Sequence, residues 1–292
     1  MTDPTTSTAT EAAPTATTAT EAAPTATTER TLLRSQGPPS APNGGHTPYL
    51  LGLADDALIY AQRLGEWLTR APQIEEDMAL GNVGLDLLGQ ARSLLTRAGE
   101  LEGAGRDEDD LAYLRDEREF RNVHLVEQPR GDFGEEMARM LWFSSYQHEL
   151  YTALLDSTDE VLAAIAAKAV KEVAYHRDHA GQWVVRLGDG TEVSHERMQA
   201  GLEAVAPYVA ELGDDDRASV AAAEAGVGIL PSSLVEGTVA HVQAVVAQAT
   251  LSMPDEPRWR SRGGREGVHS ETMGYLLAEM QHIHRSHPGA KW

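Results

Sequence analysis

Apolar residues recur at steps of three and four from Tyr49 onward. Between Tyr49 and Arg70, Leu50, Leu53, Ala57, Tyr60, Ala61 and Leu64 share one face of a 3.6-residue period, which predicts an amphipathic helix. Ala71-Pro72 ends it, because proline disfavours the helical conformation in the residue before it. The next segment, Ile74 to Leu101, carries two stripes. Met78, Leu85, Leu88 and Leu95 form one, and Leu80, Leu87 and Leu94 form the other. Two apolar stripes predict burial on more than one side, as for a helix inside a bundle.

Beyond Gly103 the pattern is less regular, with a short helix expected near Asp109 to Leu114 and a loop around Gln128 to Gly131. Asp132-x-x-Glu135 and Ser157-x-x-Glu160 read as capping boxes. They open helices that run to about Asp156 and about Leu187, the second closed by the turn Gly188-Asp189-Gly190. Further helices are expected over Val193–Leu212, Asp215–Ala225, Ser233–Met253 (with a Ser233/Glu236 box) and Ser270–Ser286. A connection rich in Pro, Arg and Gly spans Met253 to Gly267. No segment sustains a two-residue alternation, so no sheet is expected. Helices 49–70, 74–101, 133–156 and 160–187 make two antiparallel hairpins with an irregular crossover at 103–132. The expected fold is all-α: a ferritin-like helical bundle over residues 49–292, with additional C-terminal helices.

Residues 1–48 are a different material. Thr8 to Thr18 reads TATEAAPTATT, and Thr18 to Thr28 repeats it. With almost no large apolar side chains, the stretch cannot offset its ordering entropy by burial, and a disordered tail is expected.

Composition narrows the chemistry. The net charge is −21 and no block of Lys or Arg stands out, which argues against nucleic acid as a partner. The chain has no cysteine, so disulfides, thiolate metal sites and a cysteine nucleophile are excluded. No apolar run approaches the roughly 18 residues of a membrane span, and the N-terminus lacks the features of a signal peptide. A cytoplasmic location is expected. Phosphate-binding glycine loops and a nucleophile elbow are absent, and no catalytic residue is assigned.

A ferritin-like bundle raises the question of two irons. Such a site takes a Glu from each of two helices and a Glu-x-x-His pair from each of the other two. There is no histidine between His46 and His124, so the first hairpin has none to offer. Glu66, Glu75, Glu76, Asp77 and Asp86 are its candidate acids, but Gly89 and Gln90 stand three and four residues after Asp86. In the fourth helix Glu172 is followed at i+3 by Tyr175, and His176 comes one residue late, about 100° further round the helix. Glu66, Asp86, Glu172 and His176 are thus the candidates for a degenerate site, a structural ion pair or core polar contact is the favoured reading of Glu172 and His176, and no metal is expected in this chain. Glu172, if buried, is expected to find a cationic or hydrogen-bonding neighbour. The Glu-x-x-His matches at Glu192/His195, Glu266/His269 and Glu279/His282 have no second copy on a facing bundle helix.

Two charge-dense stretches are candidate contact surfaces. Arg115 and Arg118 lie in the run Arg115 to Asn122, which reads either as a solvated face or as an interface. Arg258, Trp259 and Arg260 suggest a contact with an acidic partner or an anionic group such as a CoA phosphate, or a loop pinned by one buried Trp.

Several segments together resemble one family. They are Gln62 to Trp67, Gly84 to Arg92, Arg115 to Arg118, Val126 to Pro129, Lys168 to His176, Arg186 to Thr191, Leu277 to Gln281 and the closing Pro288 to Trp292. In order, and covering about 49–292, they resemble the family of the C component of the phenylacetyl-CoA 1,2-epoxidase complex. The resemblance implies a ferritin-like, all-helical, non-catalytic structural subunit. Its implied partner is a homologous catalytic subunit holding a di-iron centre, with other subunits and a reductase, in an O2- and NADPH-dependent monooxygenase of phenylacetate degradation. The resemblance carries over no catalytic residue and no cofactor for this chain. An active di-iron oxygenase in its own right is the alternative, and self-association without the partner stays open.

Overall fold

The computed structural model describes residues 45–290. The expected tail, apart from its last four residues, lies outside the described residues. Among these, α-helices and short helical turns account for all regular structure. Four long helices form the bundle: α1 (Thr47–Gly65), α2 (Ile74–Glu102), and, beyond the crossover, two helices spanning Phe133–Ala153 and Glu160–Gly188. The crossover holds α3 (Glu108–Tyr113) and α4 (His124–Glu127), so the later pair are α5 and α6. Then follow α7 (Glu192–Val209), α8 (Arg217–Glu224), α9 (Val235–Gln248) and α10 (Glu271–Ser286). No helix among the described residues is long and apolar enough to cross a membrane.

Helix α1 begins at Thr47, two residues ahead of the expected start, with Pro48 in its first turn, where a missing N–H costs nothing. It stops at Gly65 rather than Arg70. Trp67 is buried and donates its Nε1 to Glu136 at 3.0 Å, while Thr69 takes a left-handed φ of 68° and gives its N–H to Asp77 at 2.6 Å. The hairpins α1/α2 and α5/α6 meet through large side chains, for example Tyr60 edge-on to Phe143 at 5.2 Å.

One expectation about α2 is corrected. Leu80, Val83, Leu87, Ala91 and Leu94 are buried, but of the other stripe Met78, Leu85 and Leu88 are exposed and only Leu95 is covered. The helix lies at the rim of the bundle, with one side open.

Two caps also differ. Asp159, not Ser157, caps α6, accepting from Val161 and Leu162 N–H; Ser157 stands two residues earlier, its Oγ accepting from Asp159 N–H at 3.2 Å and donating to the Val227 carbonyl at 2.6 Å. Ser233 does not cap α9; it sits in the turn Pro231–Leu234 and donates to the Leu230 carbonyl. Asp132 accepts from Glu135 N–H as expected, whereas the Glu135 carboxylate turns to Arg139 at 3.1 Å.

Helix α7 packs on α5 at backbone contact. An added Cβ on Gly201 would lie 2.7 Å from the Gly134 carbonyl carbon and from Glu135 N, so only glycine allows this approach. Charged clamps then tie α1 to distant segments. Asp55 is paired with Arg115, and Asp56 accepts from Arg265 Nη2 at 2.6 Å and from Val123 N–H at 2.9 Å.

Candidate functional site

The bundle centre is where a ferritin-like protein would hold metal, and here it is filled by amides and a phenol. Gln90 of α2 is buried between the hairpins. Its Nε2 donates to Glu172 Oε2 of α6 at 3.1 Å, and its Oε1 accepts from Tyr151 Oη at 3.2 Å and Gln147 Nε2 at 3.5 Å, both on α5. The i, i+4 spacing of Gln147 and Tyr151 puts them on one face. Burial pushes the Tyr151 phenol up, so it stays a donor.

The four residues read as a degenerate site do not converge. Glu172 has the neighbours expected of it: Gln90, and Lys168 Nζ at 3.0 Å. Asp86 and His176 do meet, Oδ2 to Nε2 at 3.1 Å, across the α2–α6 seam. Burial lowers the His176 pKa, with Asp86 partly offsetting it. Glu66 lies apart, held by Arg63 at 2.5 Å. Further along the seam, Glu76 lies 3.1 Å from His179.

Another buried carboxylate, Glu136 of α5, is fully committed to protein donors. Tyr60 Oη reaches it at 2.7 Å, Trp67 Nε1 at 3.0 Å and Arg139 Nη1 at 3.4 Å. Glu127 likewise receives His269 Nδ1 at 2.8 Å, Asn122 Nδ2 at 2.9 Å and Ser270 N–H at 2.6 Å. Burial opposes the charge on Glu127, but these donors outweigh it and hold the pKa below the usual range. His269 is thereby a structural partner of Glu127. His195 bonds the Gly188 carbonyl at 2.7 Å, and Glu279 and His282 are exposed.

Two irons need four carboxylates and two imidazoles pointing into one cavity. The donors at this centre are two amides, one phenol and one carboxylate already paired with lysine, and they do not fit. Among the described residues, no three His, Asp or Glu side chains converge on a shared point. The arrangement has no nucleophile beside a base; what it does is lock the two hairpins in register. Gln147 and Tyr151 were not singled out from sequence, although a Gln-x-x-x-Tyr pair inside the apolar run of α5 is the available signal.

The candidate contact residues divide. Arg115 is corrected: it is 2% exposed, stacks on Phe120 at 4.2 Å and is spent on Asp55 and the Glu119 carbonyl, so it offers nothing to a partner. Arg118 and Arg258 are exposed, and Arg260 meets Asp214 at 3.5 Å. Trp259 is half exposed, edge-on to Tyr208 at 5.5 Å, and does not act as a buried pin.

Comparison with known proteins agrees with this architecture. The chain is similar to the C component of the 1,2-phenylacetyl-CoA epoxidase of Escherichia coli (strain K12), at 46% identity over 246 residues, covering 84% of this chain and 98% of that protein. The family model described as phenylacetic acid catabolic protein matches residues 34–292, beginning inside the stretch assigned to the tail. With the all-helical ferritin-like bundle and this match over most of its length, the chain belongs to the phenylacetic acid catabolic protein family.

Proposed function

We propose that this chain is the non-catalytic structural subunit of a cytoplasmic, multicomponent phenylacetyl-CoA 1,2-epoxidase. It supports a separate di-iron catalytic subunit, which acts with other subunits and a reductase in ring epoxidation of phenylacetyl-CoA. One observation carries the reading: the bundle centre is closed by the Gln90–Gln147–Tyr151–Glu172 network, whose groups bond one another. The named relative supports the choice of complex. Arg118, Arg258 and Arg260 offer exposed cations for contacts within the assembly.

The test is metal analysis of the purified chain, beside co-purification with the catalytic subunit and assay of the mixture. The expected result is no stoichiometric iron in this chain alone, a stable complex, and epoxidation only when the catalytic subunit is present. Two irons per chain, or epoxidation by this chain with the reductase alone, would overturn the proposal in favour of an active di-iron oxygenase.

A further inference from the structure

The exposed stripe of α2 has a spacing of its own. Ile74, Met78, Gly81, Leu85 and Leu88 follow one another at steps of four, three, four and three, the a/d rhythm of a helix that packs along a second helix. Its large side chains stand open: Ile74 is 72% exposed, Met78 65%, Leu85 67% and Leu88 43%. Gly81, in the middle of the row, is half-buried, with Leu68 Cδ2 3.4 Å from where its Cβ would stand. Met78, Gly81, Leu85 and Leu88 line a groove of about 530 Å³ together with Leu68 and Met280. A continuous apolar row of this kind is not a scatter of surface leucines, and it marks an interface.

We propose that this seam is the docking face for a helix of the catalytic subunit. The inference rests on the structural-subunit reading above and names the surface it uses. The spacing calls for a helical occupant. Charge selects its kind: Glu75 and Asp77 flank the first turn of the row, and the whole chain carries −21. Two copies of so acidic a chain repel each other. A partner helix with an apolar ridge flanked by lysine or arginine is complementary.

The experiment measures binding of the purified catalytic subunit to the full chain by sedimentation velocity. It compares wild type with Leu85→Glu and Met78→Glu, and with Val235→Glu as control. Val235 is exposed on α9, which packs on α5 and α6 away from the seam. All three positions are solvent-facing, so circular dichroism and Tm should match wild type. A carboxylate in the middle of the apolar row is expected to weaken assembly by roughly a hundredfold, since it must be desolvated against the apolar ridge of the partner helix. The control should stay within about twofold. If wild type assembles and both seam variants assemble equally well, the seam is wrong while the subunit reading stands. If wild type itself does not bind the catalytic subunit, that reading falls. If Leu85→Glu instead disperses a self-associated form of this chain and leaves the complex intact, the occupant is a second copy and the proposal is overturned.

Discussion

Arg115 and Asp55 face each other out of reach of water, with Arg115 Nη1 donating to Asp55 Oδ2 at 2.9 Å and Nη2 bonding the other carboxylate oxygen. Two oppositely charged groups in such a place stabilise only as a pair, because either one alone retains its full desolvation cost. Arg115→Ala is therefore expected to lower unfolding free energy by about 3–5 kcal/mol. The double variant Asp55→Asn/Arg115→Met should recover much of that loss. Urea unfolding of the two singles and the double checks it; additive effects would show that the pair is not coupled.

The α5–α7 contact gives a sharper steric expectation. Gly201→Ala places a methyl group 2.7 Å from backbone atoms of Gly134 and Glu135, which cannot swing aside as a side chain would. The helices must part, at a cost of about 1–3 kcal/mol. Gly65→Ala, where an added Cβ meets nothing within 4 Å, is the matched control and should be neutral or slightly stabilising. Thermal unfolding of the two variants side by side decides it.

Gln90 holds the centre together through both ends of one amide. Gln90→Leu keeps the volume but strands Tyr151 Oη and Gln147 Nε2 and leaves Glu172 with Lys168 alone. A loss of about 2–3 kcal/mol is expected from the unsatisfied buried groups. Gln90→Glu should also destabilise, since it adds a carboxylate opposite Glu172. Denaturant midpoints at fixed pH test both, and an unchanged midpoint for Gln90→Leu would mean that the network carries no weight.

Acid should loosen the α2–α6 seam. Burial lowers the His176 pKa in the folded chain, so folding favours its neutral form. Its contribution is present above the unfolded value of about 6.5 and is lost as pH falls through the lowered folded value. His148 and His241, also lowered by burial, act in the same direction. His124 acts oppositely: burial disfavours its charge, but Glu211 outweighs that and raises its pKa, so its contribution is present below about 6.5 and lost as pH rises. His176→Gln keeps a donor for Asp86 but cannot titrate. The drop in Tm between about pH 7.5 and pH 5 should shrink in that variant, and an identical drop would remove His176 from the account.

The positions of the long helices could be read from the chain because a 3.6-residue period is written within each segment. What the sequence hid depends on partners far along it. Ser157 looks like the cap of α6, but the helix starts two residues later than that reading needs, so Asp159 caps it while Ser157 bonds Asp159 N–H and the distant Val227 carbonyl. Arg115 sits in a run of charge that suggests water, yet Asp55, sixty positions earlier, draws it inside. The second stripe of α2 was readable as apolar, but whether this chain covers it depends on where the other helices pack. At the centre, the missing imidazoles were plain from residue types alone. The network that replaces them was not, because Gln147 and Tyr151 gain their meaning only beside Gln90.

Arg265 reaches the Gly52 and Arg121 carbonyls at 2.8 Å each, as well as Asp56. One side chain near the end of the polypeptide thus fastens its first helix to its crossover. Shortening the protein ahead of this residue would take away the cation that counters burial at Asp56, whose carboxyl is already pushed up to about 6, so the C-terminal portion is not an appendage that can be trimmed away. Early and late parts of the sequence become stable together or not at all, and the described region should melt as one cooperative unit.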